Sequence, residues 1–157
     1  LLGAPQVGCF EGKVPDPNAV RQLARAAGDQ RWYGEVDLGG PVSAVLDELS
    51  RCGGRAKVRM GGITPEAFPS AAKVAGFLIE AAHRGLPFKA TAGLHHPVRG
   101  EYRLTYDPAA PFGTMFGYLN LMAATACALA GGPHEQVEAA LLETDQATFA
   151  ADAHSFV

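Results

Sequence analysis

Apolar positions along this chain switch repeatedly between two periods. Four short runs, PQVGCFEG (5–12), RWYGEVDL (31–38), RAKVRMGG (55–62) and PFKATAG (87–93), carry apolar residues on alternate or successive positions. This pattern predicts strands. The first three lead into stretches with an apolar residue every three or four positions: NAVRQLARAAGD (18–29), PVSAVLDELSRCGG (41–54) and SAAKVAGFLIEAAHRG (70–85). Those predict helices. In the last, Val74, Leu78, Ala81 and Ala82 share one face, with Ala75 and Ile79 beside it. Boundary residues agree: Asp16-Pro17 and Asn18 open the first helix, Pro41 takes an N1-like position in the second, and Ser70 can cap the third. Gly28, Gly53-Gly54 and Gly85 follow the three helices, where a left-handed residue commonly stops them.

Strands alternating with helices imply βα units and a parallel sheet. The repeat of about 25–30 residues is that of one unit of a (β/α) barrel, and a complete barrel takes about 250 residues. At 157 residues the expectation is an α/β fold, a parallel sheet of βα repeats forming the carboxyl-terminal half of a TIM-type barrel. The whole of 1–157 is read as one domain, with βα repeats over 1–100 and a C-terminal loop and helices over 101–157. In that tail HPVRGEYRLTYDPAAP (96–111) reads as a long loop, MFGYLNLMAATACALAGG (115–132) as a buried helix and PHEQVEAALLETD (133–145) as a helix started by Pro133. Phe112, Met115, Phe116, Leu119 and Met122 fall at helical spacing, which assigns them to core or to an oligomer surface. The chain opens on LLGAPQ without methionine, so it is expected to be a piece of something longer: a half-barrel that dimerises, or one that lacks its N-terminal half.

Composition narrows the class. An apolar fraction of 48% with 18% charged residues belongs to a folded chain rather than a disordered one. A net charge of −3 without a Lys/Arg cluster argues against nucleic-acid and anionic-membrane surfaces and leaves a small molecule or another protein as partner. Cys9, Cys52 and Cys127 are odd in number and far apart, unlike a disulfide framework. With no visible signal peptide and no apolar run of bilayer-spanning length, the expected location is cytoplasmic.

Charge placement brings in chemistry. Side chains alternate along a strand, so Glu35 with Asp37, Lys57 with Arg59, and Lys89 with Thr91 each share a face. Val36, Leu38, Val58, Met60, Phe88 and Ala90 take the opposite, helix-covered face. Acids on one strand and bases on the next two must pair or meet a polar ligand, because isolated buried charges are costly. At the carboxyl ends of barrel strands such a face is an active-site position. Lys57 and Lys89 are candidate Schiff-base amines or anion holders, and Glu35 and Asp37 are candidate acid/base groups. Arg59 with the amides of Gly61 and Gly62 would grip phosphate or carboxylate, and Thr91 and Gly93 line the next strand end. His95 could serve as acid or base with His96 on the substrate, although neighbours on an extended segment point opposite ways. Glu11 would complete the ring if the Val7/Cys9/Glu11 face turns inward. No closed zinc spacing is present, and no cofactor is assigned; magnesium enters only through a transferase reading. His83 and His134 read as helix-surface residues, His154 as tail, and Trp32 and Tyr33 as packing.

The run KVRMGGITPEAFPSAAKVAGFLIEAAHRGLPFKATAGLHHPVR (57–99) resembles a family of uncharacterised bacterial proteins that share the K-x-R-x-GG strand, FPS, a helix and PFKATAGLHHP. FGYLNLMAA also fits it, and the resemblance implies a longer protein with a further N-terminal half. More loosely, EVD at 35–37, GGIT at 61–64 and AGLHHP at 92–97 are similar to motifs of quinolinate-type phosphoribosyltransferases, without that family's extra strand and without a counterpart for Lys89. That similarity implies acids holding magnesium and bases gripping phosphates. Schiff-base barrel aldolases are similar in the strand-end lysine and the charge cluster. The resulting expectation is an anion-binding lyase or isomerase, with phosphoribosyl transfer or a non-catalytic binding or assembly module as alternatives.

Overall fold

The computed structural model describes residues 8–149. Strand β1 (Phe10–Val14) leads into helix α1 (Pro17–Ala27), β2 (Trp32–Val36) into α2 (Val42–Arg51), β3 (Arg55–Arg59) into α3 (Ala71–His83), and β4 (Phe88–Thr91) ends the repeats. These strands form a parallel four-stranded sheet in the order β1-β2-β3-β4. Among the described residues the sheet is open, and no ladder returns β4 to β1. The register sets Glu11 beside Tyr33 and Lys13 beside Glu35 across β1 and β2, then Tyr33 beside Arg55 and Glu35 beside Lys57 across β2 and β3.

The predicted boundaries have visible causes. Asp16 accepts a hydrogen bond from the Ala19 amide at 2.9 Å, Pro17 fills the first turn, and Gly28 ends α1 at φ 56°. Pro41 is the residue before α2 rather than its first, and Ser70 Oγ accepts from the Lys73 amide at 3.4 Å. The first strand lies later than PQVGCFEG suggests; residues 5–7 of that run are outside the described residues.

The molecule divides into two compact units, Leu1–Val58 with Arg84–Lys89, and Arg59–His83 with Ala90–Val157. In the first, α1 packs on β1, β2 and α2, and α2 packs on β2. Val14, Val20, Trp32, Val36, Val45, Leu46, Leu49, Ala56 and Val58 are buried there. Burying a Val or Leu side chain contributes roughly 1.5–3 kcal/mol, so this covered face of the strands supplies the unit's main stabilisation.

In the second unit α3 packs against α4 (Tyr118–Leu129) and α5 (His134–Leu142). Val74, Phe77, Leu78, Ala124, Val137 and Leu141 are buried. Segment 96–111 is not simply a loop. Strand β5 (Gly100–Arg103) pairs antiparallel with β6 (Phe112–Met115). Gly113 and Met115 are buried while Phe112 and Thr114 are not, a period of two that overrides the helical spacing read across 112–122. Helix α4 accordingly starts only at Tyr118, and it is buried on one side: Asn120, Leu121, Ala124 and Ala128 face inward, Tyr118, Met122 and Leu129 outward. His83 is exposed and His134 meets the Ala72 carbonyl at 3.2 Å, both on helix surfaces as expected. His154 lies outside the described residues.

Candidate functional site

The face of the first unit's strands that lacks the aliphatic core carries an alternating chain of charges. Glu35 and Lys57 are register neighbours on β2 and β3, and their side chains pair at 2.9 Å. Lys57 Nζ also donates to Glu11 Oε2 at 2.9 Å, and Lys89 Nζ donates to the other oxygen, Glu11 Oε1. The order is thus Glu35, Lys57, Glu11, Lys89. Glu11 stands on β1 and Lys57 on β3, two strand spacings apart or about 9–10 Å, so the pair forms only because both side chains reach across β2.

Beneath Lys89 lies Tyr33. The Lys89 ammonium sits 4.2 Å from its ring centroid and the Arg55 guanidinium 5.9 Å. Arg55 also donates to the Tyr33 hydroxyl at 3.5 Å. A cation over an aromatic face gains roughly 0.5–2 kcal/mol, so Tyr33 holds Lys89 independently of Glu11.

Burial grades the four charges. The Lys57 and Glu35 side chains are 14% and 13% exposed, against 32% for Lys89 and 40% for Glu11. Bonds from Glu35 first and Glu11 second hold the Lys57 ammonium above its ordinary pKa. Bonds from Lys89 and then Lys57 hold the Glu11 carboxyl below its own. Lys57 is therefore a fixed cation, and an unprotonated Lys57 amine, which Schiff-base chemistry would need, is disfavoured here. Lys89 is the more accessible amine.

Three of the residues picked from sequence, Glu35, Lys57 and Lys89, come together. Asp37 does not join them: it follows β2, and its Oδ1 accepts from the Gly39 amide at 2.8 Å, closing the turn before α2. Glu11, weighed from sequence but left off the main set, is the group that links the two lysines. Tyr33, assigned to packing, is the platform for one of them. Its place two residues before Glu35 puts it on the same face, so the alternation that identified Glu35 could have identified Tyr33.

The second unit holds the other candidates. Arg59 ends β3 and is exposed. Gly61 and Gly93 are close-packed beneath a ring: a Cβ on Gly61 would fall among the Phe68 ring atoms, and one on Gly93 would lie 2.9 Å from that ring and 3.0 Å from the Gly61 Cα. A Cβ on Gly62 would lie 2.8 Å from the Ala67 Cβ. Packing alone therefore accounts for the GG pair. It is not a positive-φ turn at Gly61 or Gly62, whereas Ala92 and Gly93 are left-handed at φ 64° and 71°. Ala92 is a non-glycine residue in a region that costs about 1–2 kcal/mol. Beside it, the Thr91 Oγ1 atom is buried without a hydrogen-bond partner. His95 is exposed while His96 is half-buried and stacks on Tyr102, ring centroids 3.4 Å apart; burial, then the neighbouring His95, lowers its pKa. The two histidines do turn to different surroundings, as extended neighbours should.

The donor set does not suit a magnesium ion. Among the described residues no group of three or more His, Cys, Asp and Glu side chains could hold a metal. Glu11 and Glu35 are already bonded to Lys57, and Asp37 to its own turn. No helix among the described residues is long and apolar enough to cross a membrane. No protein-family model, no curated protein and no solved structure matches this chain.

Proposed function

We propose that this chain is part of a partial (β/α)-barrel enzyme that acts on a small anionic carbonyl compound, as a lyase or isomerase, through the polar face of its sheet. Lys89 is the attacking amine, Glu11 the group that takes its proton, and Lys57 a permanently charged neighbour that Glu35 holds in place. The observation that carries this reading is the asymmetry of the two lysines. Lys57 is fixed between two carboxylates, whereas Lys89 is more exposed, shares only Glu11 with it, and is steadied by a neutral ring. An amine can attack only after losing a proton, and Glu11 is bonded to the one that must leave.

The Lys89 ammonium gives one proton to Glu11, its lone pair forms a C–N bond to the carbonyl carbon, and the carbonyl oxygen leaves as water to give the imine. The positive charge of Lys57 favours the developing oxyanion.

The phosphoribosyltransferase-like alternative is less well supported, because its acids would have to hold magnesium. The non-catalytic reading, a module whose charges merely pair, is favoured by the completeness of the Lys57 bonding and is the main competitor. Borohydride reduction in the presence of pyruvate, glyoxylate or glyceraldehyde phosphate, with peptide mass mapping of the product, separates the readings. We expect an adduct on Lys89 equal to the carbonyl compound less one oxygen atom. No adduct, or one on the exposed Lys73 of α3 as readily as on Lys89, would sink the amine mechanism and leave the pairing module.

A further inference from the structure

The carboxylate of Glu11 divides its two oxygens between two ammonium groups, Oε2 to Lys57 and Oε1 to Lys89. The lysines therefore stand at the separation that one carboxylate spans. Each has a second hold that does not involve Glu11: Lys57 on Glu35 at 2.9 Å, and Lys89 over the Tyr33 ring at 4.2 Å. Glu11 is itself the most exposed of the four charged side chains, and it stands two strands from Lys57 and three from Lys89. With Glu11 in place the four charges cancel. With it withdrawn they leave one net positive charge, and the Arg55 guanidinium stands 5.9 Å from the Tyr33 ring centroid. A position held by two anchored cations and filled by a movable carboxylate is chemically a carboxylate-binding position.

We infer that Lys57 and Lys89 form a receptor for the carboxylate of a small 2-oxo acid, and that Glu11 occupies the ligand's place in this structure and must swing aside to admit it. The carboxylate part of this inference stands on the geometry alone; the 2-oxo part rests on the amine reading above. In a 2-oxo acid the carbonyl carbon is bonded directly to the carboxylate carbon, so a carboxylate on Lys57 brings the carbonyl to Lys89. The displaced Glu11 stays tethered within reach as proton acceptor. The same contact would limit occupancy, since every ligand has to compete with an internal carboxylate at high effective concentration.

The test uses oxalate, which presents the carboxylate and the adjacent oxygen but cannot form an imine. Titration calorimetry on the wild-type chain and on Glu11→Ala should show oxalate binding at least ten-fold more tightly to the variant, with the gain lost in Glu11→Ala/Lys57→Met. If Glu11→Ala does not fold by circular dichroism, Glu11→Gln replaces it, with an expected gain of at least three-fold. Equal affinity for wild type and variant, or a gain that survives loss of Lys57, would overturn the receptor. Borohydride trapping with pyruvate is read separately on the same samples. Oxalate binding without trapping keeps the receptor and removes the amine mechanism, whereas trapping without the oxalate gain does the reverse.

Discussion

Replacing Lys57 by methionine keeps the length of the side chain and removes the central charge of the cluster. Two unit charges 2.9 Å apart attract by about 5–6 kcal/mol at an effective dielectric of about 20, and desolvation of both groups offsets much of that. The variant removes the Lys57 bond from the Glu35 carboxylate, 13% exposed, while Glu11 retains Lys89. Removing one partner of a buried pair costs about 3–5 kcal/mol; with the residual exposure here we expect about 2–4 kcal/mol. Urea unfolding monitored by Trp32 fluorescence measures this. At a slope of about 2 kcal/mol/M the single variant's midpoint should fall by about 1–2 M. A fall below about 0.3 M would refute the claim that Lys57 is held between carboxylates in a low-dielectric setting.

Buried polar groups, backbone strain and the charge cluster each give a further expected outcome. Asn120, fully buried, accepts from the Arg99 amide at 2.8 Å and donates to the carbonyls of Ala140 and Glu143 at 2.9 and 2.8 Å, so Asn120→Leu should cost about 2–5 kcal/mol in urea unfolding by stranding those groups. Ala92→Gly should raise stability by about 0.5–1 kcal/mol, a melting shift of about 2–4 °C upward, because it relieves a left-handed alanine; an unchanged or lower melting temperature would contradict that strain. Stability should also depend on pH at both extremes. The Glu11 pKa is lowered on folding, so its contribution is present above about 4.5 and lost as pH falls through the folded value, and Glu11→Gln should flatten the acid limb. The Lys57 pKa is raised, so its contribution is present below about 10.5 and lost as pH rises through the folded value, and Lys57→Met should flatten the alkaline limb.

Much of this protein is legible in one dimension because local rules govern it. The alternation of strand and helix periods, Asp16-Pro17 before α1, Gly28 after it and Pro133 before α5 are decided by backbone geometry within a few residues, and the structure has each of them in place. The period-two alternation that separated Glu35 and Lys57 from Val36 and Val58 likewise depends only on the pleat. Where two periods compete, a short window misleads: Phe112 to Met122 reads as one helix until β5 supplies a partner for β6. Asp37 shows the limit of extending a strand by alternation, since its carboxylate found the Gly39 amide before it could reach the face.

The join between the lysines was beyond the sequence for a different reason. Glu11, Lys57 and Lys89 are separated by 46 and 32 residues along the chain, and nothing local records that β1 and β3 flank β2 or that Glu11 is long enough to cross it. Composition and alternation determined that charges would gather on one face and that they would have to be neutralised. Only the strand order and register decided which acid meets which base, and hence that one lysine is fixed between two carboxylates while the other shares a single carboxylate over an aromatic ring.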